Sequence, residues 1–290
     1  MNWEILDWST LDRLRDIFLA GKGGADYWRS RDDLVQYDAT YGERIGWKWD
    51  AALRELLRLG WTPPSTSILD WGCGSGVAGR RVRDAFGIPT LRVFDRSRLA
   101  IDFACETGNA TLWHEGEPVG LLVLSHVINE ANPQELLRVA RLAEAIIWVE
   151  PGTRTDSLAL IAMREKLREE FHVVAPCTHR APCGMLTPEN DRHWCHFFAA
   201  PPKAIMANSA WVRFAQRAGI DLRSLPFSFL VLDRRPVIAT ATARLIGAPR
   251  LYKGYAKVLN CRADGVREET VQQRDAKELF IAWRKDAWNF

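Results

Sequence analysis

Apolar residues recur at helical spacing near the start of the chain. Leu11, Leu14 and Phe18 share one face of a helix expected over 10–20, with Ser9 or Thr10 placed to cap it and Gly21 to stop it. A second helix is expected over 43–59, where Ile45, Trp49, Leu53, Leu56 and Leu57 form the apolar stripe and Gly60 follows. Thr62-Pro63-Pro64 separates this helical preface from an alternation of short apolar runs with helical patterns. The runs at 67–71, 91–94, 121–125 and 145–150 read as strands, with helices near 76–86, 97–105 and 133–143 between them. Such alternation predicts an α/β fold, a parallel sheet covered by helices. From Phe171 the pattern changes to a loop dense in Pro, Cys and His over 176–202, then a helix around Trp211, Phe214 and Ala218. Strands follow over 227–232, 237–245 and 255–261, then a turn at Ala263-Asp264-Gly265 and another strand. A last amphipathic helix carries Leu279, Phe280, Trp283 and Trp288. The expected regions are therefore 1–62, helical; 63–175, the α/β core; and 176–290, Cys-rich and strand-rich.

Composition narrows the class. With 290 residues and 47% apolar content the chain can bury a substantial core, which excludes disordered, collagenous and small disulfide-scaffold proteins. The formal net charge of +3 points to no partner by itself, but residues 1–170 carry 21 Lys+Arg against 26 Asp+Glu and 171–290 carry 18 against 10. The basic second part is the candidate surface for a polyanion. No apolar run approaches the roughly 20 residues that span a bilayer, and Met1-Asn2-Trp3-Glu4-Ile5-Leu6-Asp7 has no basic stretch ahead of an apolar one. A cytoplasmic protein with no membrane partner is expected. In that setting thiols stay reduced, so the six cysteines are better read as ligands, core residues or catalysts than as disulfides. The thirteen tryptophans are expected mainly in the core, with base stacking left to a minority.

The first chemical signal is Ile68-Leu69-Asp70-Trp71-Gly72-Cys73-Gly74-Ser75-Gly76, where a strand meets a helix. Glycines at alternate positions let the backbone turn tightly and approach a ligand, and the following helix offers free N–H groups at its positive end. Asp95 stands directly after the second strand, where a carboxylate can accept hydrogen bonds from two ribose hydroxyls. The spacing departs from the Gly-x-Gly-x-x-Gly of NAD enzymes, and the acidic residue ahead of the glycines suits a ligand with a cationic amino group. In these residues the chain resembles the class I S-adenosylmethionine-dependent methyltransferases, with their Asp/Glu-x-Gly-x-Gly-x-Gly motif. The resemblance implies a Rossmann-like sheet, with Asp70, Gly72, Gly74 and Gly76 facing the methionine moiety, Asp95 the ribose and Arg96 the adenine edge. It also puts Ser125, at the end of the fourth strand, beside the cofactor. The run Ser125-His126-Val127-Ile128-Asn129-Glu130 stands where amino-group methyltransferases carry Asn/Asp-Pro-Pro-aromatic, and that tetrad is absent. His126 and Glu130 are the candidate bases. Cys73 and Cys105 read as small buried hydrophobes.

The second signal is Pro176-Cys177-Thr178-His179-Arg180-Ala181-Pro182-Cys183 followed by Trp194-Cys195-His196-Phe197, with Cys261 in the strand-rich tail. Four thiolates close a tetrahedral zinc site or hold an iron–sulfur cluster, and spacing alone does not choose between them. No Cys-x-x-Cys pair is present, and His179, His193 or His196 can replace one sulfur. Together with His126-Val127-Ile128-Asn129-Glu130, Val149-Glu150-Pro151-Gly152-Thr153 and the closing Arg284-Lys285-Asp286-Ala287-Trp288, these motifs resemble the methyltransferase-like family of mitochondrial small-ribosomal-subunit assembly proteins and their bacterial relatives. That resemblance spans about residue 37 to the C-terminus. It implies a 4Fe-4S cluster on Cys177, Cys183, Cys195 and Cys261, with zinc as the alternative metal, and a role in ribosome biogenesis and translation through the small ribosomal subunit and its rRNA. The loop Cys-Thr-His and Cys-Gly-Met has fewer prolines than relatives tend to have there. A monomer off the ribosome is expected. Two other readings stay open: a catalytically active rRNA methyltransferase, and an RNA-binding module with a vestigial nucleotide pocket and a structural zinc.

Overall fold

The computed structural model describes residues 6–20, 27–237 and 241–285. Along the chain run α1 (Trp8–Leu19), α2 (Arg31–Tyr37), a π-helical turn at Asp38–Gly42, α3 (Glu43–Arg58), β1 (Ser67–Trp71), α4 (Val77–Phe86), β2 (Thr90–Phe94), α5 (Arg98–Gly108), β3 (Thr111–Leu112) and β4 (Val119–Ser125). They are followed by α6 (Pro133–Leu142), β5 (Ala143–Pro151), α7 (Arg154–Leu167), β6 (His172–Ala175), β7 (Phe197–Ala199), α8 (Ser209–Ala218), β8 (Leu225–Asp233), β9 (Ala243–Leu251), β10 (Tyr255–Arg262), β11 (Gly265–Gln272) and α9 (Lys277–Trp283).

The chain divides into two compact units, one made of Met1–Val149 with Ala200–Leu225 and the other of Glu150–Ala199 with Pro226–Phe290. The boundaries therefore fall away from the expected 62 and 175. Long-range packing is the cause: the segment after Val149 builds its core with the C-terminal strands, and α8 returns to the first unit. Charge follows these units, not a cut at 170. The first holds 21 Lys+Arg against 22 Asp+Glu and the second 18 against 14, so the contrast shrinks to −1 and +4.

In the first unit β3, β2, β1, β4 and β5 lie in that order, all parallel. The runs Leu121-Leu122-Val123-Leu124 and Ile146-Ile147-Trp148-Val149 are wholly buried, as central parallel strands covered on both faces require. Successive crossovers run outward from β1 through β2 to β3 and in the other direction from β4 to β5. A crevice is thus left at the strand ends between β1 and β4, the switch point where ligands bind in such sheets. The helical preface is anchored by aromatics: Trp8 and Tyr41 pack on Phe214, and Trp47 on Trp211. The α1 cap is Asp7 and not Ser9 or Thr10. Its carboxylate accepts their backbone N–H groups at 2.9 and 3.3 Å, and both hydroxyls also donate to it. Among the described residues nine tryptophans are buried, in line with their expected core role.

In the second unit β6 pairs antiparallel with β8, β7 also pairs β8, and β9, β10 and β11 form a separate antiparallel sheet. The strand expected over 237–245 begins instead at Ala243. β8 ends at Asp233, whose carboxylate accepts the Arg235 backbone and guanidinium N–H groups and turns the chain out of the sheet. Helix α7 had no counterpart in the expected elements. Gly21, Trp288, residues 238–240 of that strand, and Asp286-Ala287 of the closing motif lie outside the described residues.

Gly152 follows β5 and precedes α7. Its N–H donates to the Pro226 carbonyl at 3.2 Å and its own carbonyl accepts from Trp194 Nε1 at 2.9 Å. A Cβ there would stand 2.5 Å from the Phe227 nitrogen and 2.6 Å from the Pro226 carbonyl carbon. Backbone cannot yield as a flexible side chain can, so Gly152→Ala should destabilise the second unit by about 1–3 kcal/mol, the usual range for overpacking. Urea or thermal unfolding measures it, and an unchanged midpoint would refute the packing argument.

Candidate functional site

The glycine loop is built by backbone geometry. After β1 the chain passes through Gly72, Gly74 and Gly76 at φ 73°, 51° and 77°, left-handed conformations that L side chains resist, and enters α4 at Val77. Gly72 is further constrained, because a Cβ would come 2.6 Å from Val127 Cγ1. Gly72 and Cys73 N–H both donate to the Phe94 carbonyl, at 2.7 and 3.1 Å. Gly74 N–H donates to Asp95 Oδ2 at 2.9 Å, and Ser97 N–H to Asp95 Oδ1 at 2.9 Å. Asp95 is thereby braced between the loop and the start of α5.

The remaining residues of this region have distinct settings. Asp70 is fully buried, and its Oδ2 accepts the Gly79 N–H at 2.9 Å, so the carboxylate ties β1 to the first turn of α4. Its Oδ1 has no partner. Burial pushes this acid up to about 7. Arg96 donates to the Glu130 carbonyl at 3.4 Å and pairs with Glu135 at 3.5 Å. Ser125 Oγ accepts the indole N–H of Trp49 at 2.9 Å. His126 has φ 57°, unusual for a residue other than glycine. Its backbone N–H donates to the Val149 carbonyl, and its Nε2 is buried without a partner. Burial, with Lys48 and Arg44 nearby, holds the imidazole neutral. Glu130 is pushed up to about 7, first by burial and then by the Asp95 charge. The Tyr27 hydroxyl donates to Glu130 Oε2 at 3.3 Å. Tyr27 did not stand out in the sequence, because the segment around it has no periodicity. Cys73 is buried, and Cys105 is partly buried on α5.

In the second unit Cys177, Cys183, Cys195 and Cys261 line one cavity of about 30 Å³. They arrive from the loop after β6, from the approach to β7 and from β10. Ile161, Met185, Ile246 and Val266 form the buried apolar surround. Ser157 and Ser228 hydroxyls both donate to the Cys195 carbonyl at 2.7 Å, fixing that stretch of backbone. Arg164, on α7, also lines the cavity. Its Nη2 donates to the carbonyls of His179 and Ala181 at 2.9 and 3.1 Å, which holds the loop between the first two cysteines. Burial, reinforced by the neighbouring thiols, pushes Cys183 up to about 11 and Cys261 up to about 12, and raises Cys195 as well. All six cysteines are free. His179 Nε2 lies 3.7 Å from Cys261 Sγ. His196 stacks on Trp194, and His193 accepts from Arg192. Among the described residues no three His, Cys, Asp or Glu converge closely enough to hold one metal ion. Arg164 escaped sequence reasoning because a buried arginine breaks the apolar pattern of its helix.

The model of the family described as mitochondrial small ribosomal subunit Rsm22 matches residues 61–289. No curated protein sequence matches the chain. Among solved structures it is similar to the plantazolicin methyltransferase BpumL in complex with SAH, at 14% identity over 78% of this chain and 100% of that one, with a TM-score of 0.43. A SAM-dependent methyltransferase from Aquifex aeolicus matches at 13% identity over 52% of this chain and 93% of its own, TM-score 0.39. TrmK from M. capricolum, in complex with SAH, matches at 7% identity over 66% and 70%, TM-score 0.35.

The raised carboxylates have a measurable consequence. A folded-state value near 7 for Asp70, against about 3.9 in an unfolded chain, means that the folded protein binds the extra proton between those limits. Stability contributed by the protonated acid is complete below about pH 4 and is lost as pH rises through about 7. Glu130 adds a contribution of the same sign. Relative to wild type, Asp70→Asn should therefore lose less thermal stability between about pH 5 and pH 8. Melting curves across that range check it; parallel pH profiles for the two proteins would sink the assignment.

Proposed function

The chain belongs to the Rsm22 family, described as mitochondrial small ribosomal subunit, and from that premise we propose that it binds S-adenosylmethionine, carries a 4Fe-4S cluster and acts in assembly of the small ribosomal subunit. The observation that carries this reading is the gathering of four thiols from widely separated positions onto one cavity. The donors are all sulfur, which suits iron–sulfur clusters, and all four line the same cavity. Cys177, Cys183, Cys195 and Cys261 would be the ligands. A bound cluster would supply a rigid four-thiolate staple with one-electron capacity. This chain's own contribution is to hold the loop by Arg164 and the Cys195 backbone by Ser157 and Ser228. Because burial keeps the Cys183, Cys195 and Cys261 thiols protonated, loading would release protons and couple metal binding to folding of this unit.

Support for S-adenosylmethionine comes from the three left-handed glycines at the β1 end, beside the β1/β4 switch point, and from Asp95 braced next to them. The fully buried Asp70 would act through the loop and helix it ties together, with its unpartnered Oδ1 the atom left for an amino group. Docking on rRNA is supported by the family and by the basic excess of the second unit. A reducing, cytoplasmic location suits six free cysteines. A second reading, methyl transfer to rRNA, is favoured by one specific feature. Glu130, raised to about 7 and hydrogen-bonded to Tyr27, could take a proton near neutral pH.

Anaerobic purification should yield a brown protein with iron and sulfide in equal amounts, and Cys183→Ser should lose both and melt at lower temperature. A colourless wild type with one zinc per chain would overturn the cluster. Labelled S-adenosylmethionine should be retained by the protein and not transferred to purified small subunits. Transfer that falls at least tenfold in Glu130→Gln would instead establish the enzyme.

A further inference from the structure

Arg164 is 2% exposed and cannot shed its charge. Burying a guanidinium is costly unless an anion faces it. The cavity wall is otherwise made of four cysteines, two serines and apolar residues, so among the described residues Arg164 is the only formally charged one lining it. Its Nη1 pairs with Glu165, but that carboxylate is not part of the wall and is shared. Glu165 also accepts Arg168 Nε at 3.0 Å and the Cys183 N–H at 3.2 Å. Two of the Arg164 hydrogen bonds go to neutral carbonyls, and its Nε is buried with no partner. Four thiolates around a cluster core of two positive charges leave a net charge of −2, and a one-electron reduction makes it −3.

We propose that Arg164 is the counter-charge built into the cavity for an anionic four-thiolate cluster, and that it positions the Cys177–Cys183 loop and raises the cluster's reduction potential. This rests on the cluster assignment above. A fixed cation lowers the energy of the more negative, reduced state more than that of the oxidised state, and net charge and hydrogen bonds near the sulfurs are the protein's levers on such potentials. Arg164 is a positioning residue here, since it acts through the charge and the loop.

The test uses full-length protein purified anaerobically, with iron and sulfide assayed first. Midpoint potentials are then taken from a dithionite titration followed by absorbance and electron paramagnetic resonance. Arg164→Gln should shift the midpoint to more negative values, Arg164→Lys should stay near wild type, and Glu165→Gln, which removes the nearest anion while keeping an acceptor for the Cys183 amide, should shift it to more positive values. A purely structural role predicts cluster loss in the Gln and Lys variants alike and no opposite shifts. Loaded variants with unchanged midpoints, or with shifts of the same sign, would overturn the proposal. Where Arg164→Gln retains no cluster, the Lys and Glu165→Gln arms decide it: an unmoved Glu165→Gln midpoint sinks it. Iron and sulfide missing from the wild type would refute the cluster assignment itself, and with it this inference, whereas a loaded wild type with unresponsive variants refutes the inference alone.

Discussion

A charge that cannot be neutralised by proton loss organises the second unit. Arg164 reaches from α7 to the carbonyls of His179 and Ala181, so one side chain fixes the path of the loop that carries Cys177 and Cys183. Glu165, the next residue, holds the Cys183 amide from the same helix. The helix thus grips the loop from two adjacent positions. Cys195 is held independently by two serine hydroxyls, and Cys261 by its place in β10. The four thiols are thus presented by three pieces of backbone, each with its own anchor. The apolar surround is modest: Ile161, Met185, Ile246 and Val266. A small core of this kind gains much from a cross-link that joins distant segments.

The first unit places its strain differently. Three left-handed glycines make the turn after β1, and Val127 stands where any side chain on Gly72 would go. Directly after the neighbouring strand β4, His126 takes a left-handed conformation without glycine's freedom. Two backbone exceptions therefore flank the β1/β4 crevice, where an open sheet binds its ligands, and strained residues gather at such sites. The buried Asp70 belongs to the same economy of space: Gly79 lets α4 pass close enough for its N–H to reach the carboxylate, and a Cβ there would stand 2.8 Å from Asp70 Oδ2.

What could be read in advance had short-range causes. Strand β1 spans the expected 67–71, and the glycine triplet marks its turn, because both depend on residues adjacent in the chain. The four cysteines stood out by scarcity and clustering. Helix α7 did not, although Thr153 and Asp156 form a visible cap, with the Thr153 hydroxyl accepting the Asp156 N–H at 3.1 Å. Its buried set includes Asp156, Ser157 and Arg164 beside Leu160, Ile161 and Met163, so polar residues occupy core positions and the apolar stripe is broken. The unit boundaries were equally hidden. They depend on contacts between 150–199 and 226–290, which no local pattern encodes.

The charge count shows how composition and structure bear differently on RNA binding. Cut at residue 170, the chain looks sharply divided; divided by its units, the basic excess is mild. On the β9–β11 sheet Arg250 and Lys257 pair with Glu268, Arg262 with Glu269 and Arg267 with Asp264. Counting lysines and arginines there overstates the field that a phosphate would meet. Exposed pairs of this kind are worth little, about 0–1 kcal/mol each, so a polyanion can take over the basic partner at small cost, and the displaced carboxylates then repel it. Binding through such a surface gains its strength from counterion release, and the retained acids sharpen its dependence on where the phosphates lie.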